Sequence, residues 1–291
     1  MILLPQRLYE SPEVSIILRQ GNTCILSKNL NEPALNREGY AANHVVSVIL
    51  AGEQLIRTYD DQTIRVKEGE ILFIPRGIYY ISDLLPGEGP FSSILFYFDD
   101  RLVAQFLSES DLKEFNRSSV PSHLQFRLSA PIELFIHSLI NIYDNHGIKN
   151  PQFLDLKMLE MLHLLNQMAG KQRFADFLFQ LSLPKKRNIR SFMEKNFNKP
   201  LKIEDYAYLT GRSVSTFRRD FKHYFQLTPQ KWLKERRLDM ALAILQEREM
   251  PVSELAMEVG YEHVSHFIRE FKKKIGMSPK QFQLEKYRDR F

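Results

Sequence analysis

The C-terminal third of the chain contains one sequence pattern twice, fifty residues apart. The first copy reads STFRRDFKHYFQLTP and the second reads SHFIREFKKKIGMSP. Each copy places two phenylalanines four residues apart, Phe217 and Phe221 in the first and Phe267 and Phe271 in the second. Because residues four apart lie on the same face of an α-helix, each copy predicts an amphipathic helix with a buried aromatic face and a polar, largely basic outer face.

A shorter helical pattern that ends in glycine precedes each of these helices. Residues spaced for one buried face come before each glycine: Ile203, Tyr206, Ala207 and Thr210 before Gly211, and Val252, Leu255, Ala256 and Val259 before Gly260. Glycine adopts the left-handed conformation of a helix C-terminus at little cost. Two short helices joined by such a turn, the second of them cationic, are typical of a helix-turn-helix unit, whose second helix fits a DNA major groove.

A longer helix is predicted between the two copies. Each copy ends in a hydroxyl residue followed by proline, Thr228-Pro229 and Ser278-Pro279, which favours the start of a new helix. After Pro229, one broad side carries Trp232, Leu233, Arg237, Leu238, Ala241 and Leu245. Eighteen helical residues span roughly 27 Å, and successive major grooves on one face of DNA are about 34 Å apart. The connecting helix can therefore hold two reading helices in successive grooves.

The net charge is divided unevenly along the chain. Residues 184–291 contain 24 Lys and Arg against 14 Asp and Glu, a balance of +10, whereas residues 1–183 have a balance of −5. A basic C-terminal third indicates an anionic partner for that third. A well-solvated surface explains the charge equally well, so the charge supports the helix-turn-helix interpretation without carrying it.

Residues 10 to about 100 predict a β-rich domain. Short segments rich in β-branched and aromatic residues, such as VVSVIL (45–50), EILFIP (70–75) and SSILFYF (92–98), are separated by turn-prone sequences. Regular short strands with tight turns favour a β-sandwich or a small barrel. Seven bulky apolar residues are expected in its interior: Val46, Val48, Leu50, Ile56, Ile64, Leu72 and Ile74.

From about Leu102 the periodicity becomes helical and predicts a helical hairpin. Its second helix begins near Asn150 and Pro151, which suit the N-cap and the first helical position. Five apolar residues on this helix are spaced by four, three, four and three positions: Leu154, Met158, Met161, Leu165 and Met168. This heptad spacing suits a dimerising helix pair, with a stripe of domain core as the alternative. The stretch QLSLPKKRN (180–188) is the expected domain boundary.

The second copy, within AMEVGYEHVSHFIREFKKKIGMSPKQF, resembles the signature of the AraC/XylS family of bacterial transcription regulators. Residues 186–287 are similar to the C-terminal DNA-binding domain of that family, and the rest resembles its full-length members more loosely. The resemblance implies an α+β protein with a cupin-like regulatory and dimerisation domain with a helical hairpin at 1–183, and a double helix-turn-helix domain at 184–291. It implies sequence-specific activation of transcription, with promoter DNA and RNA polymerase as partners and a homodimer as the functional form.

The same resemblance implies roles for individual residues of the two recognition helices, about 213–225 and 263–274. Contacts to base edges are expected from Ser215, Arg218 and Arg219 in the first helix and from Val264, Ser265, Ile268 and Arg269 in the second. Contacts to phosphates are expected from Ser213, Thr216, Lys222, His266, Lys272 and Lys273. Arginine suits bidentate contact with guanine, whereas Val264 and Ile268 replace polar residues and suit thymine methyl groups or packing.

A metal-dependent cupin-type enzyme with an accessory nucleic-acid-binding domain is the alternative function. Cupin enzymes hold a metal with a His-x-His pair, but here Val46 stands where a partner of His44 is needed. His263 and His266 share a helix at i, i+3 without an obvious third ligand and lie in the expected DNA-reading region, and Cys24 lacks a basic or helix-start context that would activate it. We therefore expect no catalytic residues, no metal and no cofactor.

The single cysteine fits a reducing compartment, and the sequence shows neither a signal peptide nor an apolar run long enough to span a bilayer. A cytoplasmic protein without a membrane partner is expected. The effector of the N-terminal domain is left open between a small molecule and a protein.

Overall fold

The computed structural model of the protein describes residues 1–109, 120–145, 150–181 and 186–288. The chain divides into two compact units, an N-terminal unit of Met1–Leu183 and a C-terminal unit of Pro184–Phe291. Residues 182–185, at the centre of the predicted boundary, lie outside the described residues. Within the described ranges, no helix is long and apolar enough to cross a membrane.

The described part of the N-terminal unit contains eleven strands in two sheets. The first sheet consists, in spatial order, of β1 (Ile2–Leu4), β4 (Ala34–Ala41), β9 (Gly77–Leu84), β6 (Glu53–Thr58) and β7 (Thr63–Lys67). The second consists of β11 (Leu124–Arg127), β8 (Glu70–Ile74), β5 (His44–Ala51), β10 (Phe91–Phe98), β3 (Thr23–Leu30) and β2 (Val14–Gln20). Strand β1 runs parallel to β4, and the other paired strands are antiparallel. A 3₁₀ helix (Gln6–Glu10) follows β1.

Helices cover one face of the second sheet. They are α1 (Asp100–Ser108), α2 (Ala130–Leu139) with a π-helical continuation (Ile140–Asn145), α3 (Gln152–Ala169) and α4 (Lys171–Leu181). Helix α3 begins one residue later than predicted, with Pro151 at the N-cap position, although the backbone N–H of Gln152 donates to Asn150 Oδ1 at 3.0 Å. The predicted change to helices near Leu102 is confirmed, but strand β11 interrupts the helical stretch and α4 was not predicted as a separate helix. Gly170, with a φ of +83°, separates it from α3.

Strand β5 divides its apolar residues between two cores because successive side chains of a strand point to opposite faces. Val45 and Ile49 lie between the two sheets, whereas Val46 and Val48 pack against the helices. Leu50 also packs on the helical side. The prediction that Val46, Val48 and Leu50 face the interior between the sheets is therefore wrong, since a central strand covered on both faces has no polar side to mark its orientation. The other four predicted interior residues do lie between the sheets: Ile56, Ile64, Leu72 and Ile74.

The heptad stripe of α3 is part of the domain core. Leu154, Met158, Met161 and Leu165 are at most 1% exposed and belong to the cluster between the second sheet and the helices. Met168 is 36% exposed and accepts a hydrogen bond from Ser129 Oγ at its Sδ, 3.6 Å away. The first four side chains face their own chain and not a second copy, which corrects their assignment as dimer contacts. The spacing fits both situations because a sheet and a partner helix select the same apolar stripe.

The C-terminal unit is helical throughout its described elements. These are α5 (Ile189–Asn196), α6 (Ile203–Leu209), α7 (Val214–Phe225), α8 (Pro229–Glu247), α9 (Val252–Glu258), α10 (Val264–Ile275) and α11 (Pro279–Arg288). Helices α6 and α7 form the first helix-turn-helix unit, and α9 and α10 form the second. Gly211 and Gly260 end the leading helices with φ angles of +71° and +90°. The hydroxyls of Thr228 and Ser278 accept backbone N–H groups, in agreement with the predicted helix starts, and the hydroxyl of Ser213 does the same at the start of α7.

Helix α8 contributes to the cores of both helix-turn-helix units. Its first turns place Trp232 against Phe221 and Phe225, with ring centroids 5.6 and 4.7 Å apart. Its later turns bury Leu238, Ala241 and Leu245 in a cluster with Phe267 and Phe271. Because one rigid helix supplies side chains to both cores, the two units are parts of a single folded body.

Substitution of Met161 by Lys should unfold the N-terminal unit. A lysine there buries an unpaired charge, which we expect to cost at least about 4 kcal/mol. Gln167→Lys, at an exposed polar residue of the same helix, is the control and should change stability by less than about 0.5 kcal/mol. Urea unfolding followed by circular dichroism distinguishes them. A folded, stable Met161→Lys protein would show that α3 is not core.

Substitution of Gly260 by Ala should destabilise the C-terminal unit more than Gly276→Ala. Both glycines have a φ near +90°, but a Cβ at Gly260 would lie 2.5 Å from the Asn198 carbonyl oxygen, whereas one at Gly276 meets nothing within 4 Å. We expect about 1 kcal/mol for Gly276→Ala and about 2–4 kcal/mol for Gly260→Ala. Trp232, the sole tryptophan, reports unfolding of this unit by fluorescence. Equal losses would mean that the contact with Asn198 is loose.

Candidate nucleic-acid interface

Helix α7 has one buried side, which determines the side chains that face outward. Phe217 and Phe221 are fully buried, and the Phe221 ring stacks on Phe225 with centroids 4.4 Å apart. The opposite side is exposed and contains four of the residues predicted to contact DNA: Ser215, Arg218, Arg219 and Lys222. Thr216 lies at the edge of this face and is half-buried. The structure thus brings these residues together on a single cationic helix face.

Ser213 serves the helix itself. Its Oγ accepts the backbone N–H of Thr216 at 3.3 Å and donates to Thr216 Oγ1 at 3.0 Å. A side-chain oxygen that caps the first turn satisfies a backbone donor that would otherwise lack a partner. The predicted phosphate contact of Ser213 competes with this capping role, and it stays a prediction.

Helix α10 repeats the arrangement. Phe267 and Phe271 are fully buried, and the exposed side contains Ser265, His266, Arg269, Lys272 and Lys273. Val264 and Ile268 are half-buried and pack against the core cluster below the helix. Their apolar side chains therefore already have partners within the protein, which leaves only part of each surface for a base. Lys274, the next basic residue, instead pairs with Asp239 Oδ1 of α8 at 2.5 Å.

Each recognition helix contains one acidic residue, at equivalent positions of the repeat. Asp220 of α7 accepts from Arg212 Nε at Oδ2, 2.9 Å away. Glu270 of α10 lies 3.3 Å from Lys234 Nζ of α8. Both acids are partly buried, and each also lies within 4 Å of the exposed arginine before it. Because these partners compensate the carboxylates, the faces that carry Arg219 and Arg269 remain favourable for an anionic partner.

Arg212 is a residue that the sequence analysis missed. Besides Asp220, its guanidinium donates to the carbonyl oxygens of Thr210 at 2.6 Å and Arg187 at 3.0 Å. It thereby connects the start of the unit, the turn and the recognition helix. The sequence signal for this role was the position of Arg212 directly after Gly211, because the second copy has Tyr261 at the equivalent position and one extra residue in its turn.

A cavity of about 260 Å³ lies between the two sheets of the N-terminal unit, beneath the segment that contains the 3₁₀ helix. Its walls are mainly apolar, and one part carries a buried polar network. There Lys28 Nζ forms an ion pair with Asp83 Oδ2, and Gln54 Nε2 donates to Asp83 Oδ1 at 2.7 Å. Ser47 Oγ completes the network by donating to Gln54 Oε1 at 3.2 Å. An apolar pocket with a few convergent polar groups is the usual form of a small-molecule site.

His44 and Cys24, the residues considered for enzyme chemistry, are both buried inside the N-terminal unit. His44 Nδ1 accepts the backbone N–H of Arg76 at 3.1 Å, so Nε2 carries the proton and donates to Asp100 Oδ1 at 2.9 Å. Burial lowers the pKa of His44 despite the favourable carboxylate. Burial also raises the pKa of the Cys24 thiol to about 12, which keeps it protonated at neutral pH. Within the described ranges, no three His, Cys, Asp or Glu residues form a group that suits a metal ion.

Comparison with known proteins matches both units. Residues 206–285 match the family described as "Helix-turn-helix domain", and residues 44–177 match the "ExsA N-terminal regulatory domain". The chain is 28% identical over 242 residues to the HTH-type transcriptional regulator ExsA of Pseudomonas aeruginosa, covering 80% of this chain and 84% of the relative. It is 27% identical to the virulence regulon transcriptional activator VirF of Yersinia enterocolitica, covering 82% and 88%.

The chain belongs to the AraC/XylS family of bacterial transcription regulators. Among solved structures, an apo ToxT variant from Vibrio cholerae matches with a TM-score of 0.45 and 11% identity, over 91% of this chain and 99% of that one. The family's regulatory N-terminal domain and helix-turn-helix C-terminal domain correspond to the two matched segments. The two matched segments and the relatives confirm the implied family membership. The strands and helices of this chain confirm the β-rich N-terminal and helical C-terminal regions of the α+β fold.

Proposed function

We propose that this AraC/XylS family regulator activates transcription by inserting α7 and α10 into successive major grooves of promoter DNA. The observation that carries the proposal is the duplicated amphipathic helix, with buried phenylalanines below and arginine above in both copies. Arg218, Arg219 and Arg269 would contact bases, together with Ser215 and Ser265. Lys222, His266, Lys272 and Lys273 would contact phosphates, which position a protein without specifying sequence.

The half-buried Val264 and Ile268 change what the second helix is proposed to recognise. With no donor or acceptor on either side chain, they can meet a base only by apolar contact, of which the thymine methyl group is the main partner. In this proposal the first unit, with two exposed arginines and a serine, supplies more of the sequence preference. The second unit supplies Arg269 and two lysine contacts to phosphates, Lys272 and Lys273, where the first unit supplies one, Lys222.

The N-terminal unit is proposed as a cupin-like regulatory domain. The cavity between its sheets favours a small, amphipathic molecule as the effector over a protein, because the lining combines apolar walls with the Lys28–Asp83 pair. Binding of such a molecule beneath the N-terminal segment would stabilise one position of that segment. We further propose a homodimer that forms through exposed apolar residues of α2 and α3, among them Leu134 and Leu156. In this proposal the protein acts in the cytoplasm and contacts RNA polymerase at the promoters that it binds.

Alanine at Arg219 and at Lys272 should have different consequences for DNA binding. Arg219→Ala should cost about 1–3 kcal/mol on a specific duplex and relax selectivity at one base position. Lys272→Ala should weaken specific and random duplexes alike and reduce the salt slope by about one. Fluorescence anisotropy at several salt concentrations measures both effects. The role assignment is wrong if the two variants lose the same affinity on both duplexes.

A small molecule that occupies the cavity should raise the melting temperature of the full chain. Ligand at a hundredfold excess over its Kd stabilises the folded state by about 2.7 kcal/mol. Differential scanning fluorimetry against cavity-sized amphipathic compounds measures this shift, and Lys28→Met, which removes the polar end of the site, should lose it. If no compound acts while a partner protein raises the melting temperature, the effector is a protein.

A further inference from the structure

The two helix-turn-helix units touch each other directly, at a place that neither recognition helix includes. The turn of the second unit at Gly260 faces the loop 197–200, which leads into α6 and is joined to the first unit by the Tyr206 hydroxyl. A Cβ on Gly260 would lie 2.5 Å from the Asn198 carbonyl oxygen and 2.7 Å from the carbonyl carbon. Since Gly260 also has a φ of +90°, glycine is required here both for the turn and for the close approach of the two backbones.

Arg237 of α8 lies at this contact and bonds to the first unit. Its Nε donates to the Phe197 carbonyl oxygen and its Nη2 to that of Lys199, both at 2.7 Å. Two short hydrogen bonds from one planar guanidinium fix the direction of the side chain as well as its distance, and a lysine cannot reproduce this fork. The Lys199 carbonyl also accepts from the buried Tyr206 hydroxyl at 3.1 Å, so the loop is held from both sides.

The same guanidinium meets the second unit. Its Cζ lies 5.9 Å from the centre of the Tyr261 ring, and a Cβ on Gly260 would be 3.2 Å from it. Arg237 is half-buried and stands between the part of α8 that packs on the first unit, through Trp232, and the part that packs on the second, through Leu238. A single side chain therefore joins the loop of one unit to the turn of the other.

We propose that Arg237 is a positioning residue for DNA recognition, one that fixes the angle between the two reading helices so that the protein accepts a single spacing between its two half-sites. The inference rests on the proposed function, in which α7 and α10 read one duplex. A helix connection alone permits bending and rotation at its ends. The guanidinium clamp on the Phe197 and Lys199 carbonyls removes that freedom, because the loop and the turn can then no longer move independently.

The physical consequence is a steep dependence of affinity on spacing. One inserted base pair moves a half-site by about 3.4 Å along the axis and rotates it by roughly 35° around it. A rigid pair of reading heads cannot follow this change, so the second contact is lost together with the gain from simultaneous binding. A pair joined more loosely binds the correct spacing less well, because its effective concentration is lower, but tolerates the altered spacing better.

The test uses the full-length chain and a bipartite site selected by the wild-type protein from random duplexes. In derivatives of this duplex, about one or two base pairs are inserted or deleted between the two half-sites. Each change shifts one half-site relative to the other by a fraction of a helical turn. Other duplexes retain only one half-site. Fluorescence anisotropy gives the Kd for each, and Trp232 fluorescence with thermal melting establishes that every variant is folded.

Wild type should lose at least about tenfold in affinity with each change of spacing. Arg237→Met and Arg237→Lys should bind the native spacing about tenfold more weakly, retain single half-site affinity within about twofold, and show a flatter spacing profile. Arg237→Lys keeps the positive charge, so a flat profile in that variant is due to the lost fork and not to a lost phosphate contact. Arg236→Met is the matched control, since Arg236 is exposed on the same helix and contacts the Phe197 and Trp232 rings; it should keep the steep profile.

Two results would overturn the inference in distinguishable ways. If folded Arg237→Met and Arg237→Lys proteins keep the wild-type spacing profile, the angle between the helices is fixed elsewhere and only this inference fails. If the wild-type chain selects no sequence from the random duplexes, the proposed function fails and the inference with it.

Discussion

The burial of two phenylalanines per recognition helix is the interaction on which the proposed reading surface depends. Phe217 and Phe221 under α7, and Phe267 and Phe271 under α10, are completely removed from water. A fully buried phenylalanine contributes roughly 1.5–3 kcal/mol, so each pair fixes the rotation of its helix about its own axis. With the rotation fixed, Arg219 and Arg269 are held on the outward side, at 77% and 72% exposure.

The two copies reach the same outcome by different contacts. In the first, the acid on the recognition helix pairs with Arg212 from the unit's own turn. In the second, that turn carries Tyr261, and the acid pairs instead with Lys234 of the connecting helix. In the second unit the connecting helix therefore supplies the basic partner of this acid, which the first unit supplies from its own turn. Together with Arg237, this makes α8 a structural part of the second reader as well as a spacer.

The N-terminal unit shows how one sheet can serve two cores. The second sheet packs against the first on one side and against the helices on the other, so its central strands are buried on both faces. The space between the sheets is not completely filled, and the polar network of Lys28, Asp83 and Gln54 lies at its margin. A buried ion pair costs desolvation energy that an apolar pair would avoid, which is consistent with a role in binding.

Local sequence determined those features of this protein that depend on nearest neighbours along the chain. The glycine turns, the serine and threonine caps and the i, i+4 phenylalanines were all readable because each is satisfied within one turn of helix. The cationic faces of α7 and α10 followed directly, since the position of the phenylalanines fixes what lies opposite. The α+β division followed from the change of hydrophobic period near Leu102.

Only the tertiary structure decided the features that depend on distant partners. The stripe of Leu154 to Leu165 is core because the second sheet covers it, and spacing alone cannot distinguish a sheet from a second copy. Val46 and Val45 point to different cores because β5 is covered on both sides, which removes the polar alternation that normally gives the orientation. Arg237 counted in the sequence as one residue on a broad helix face. Its partners, the carbonyls of Phe197 and Lys199, lie about forty residues away, and backbone carbonyls leave no trace in a pattern of side chains.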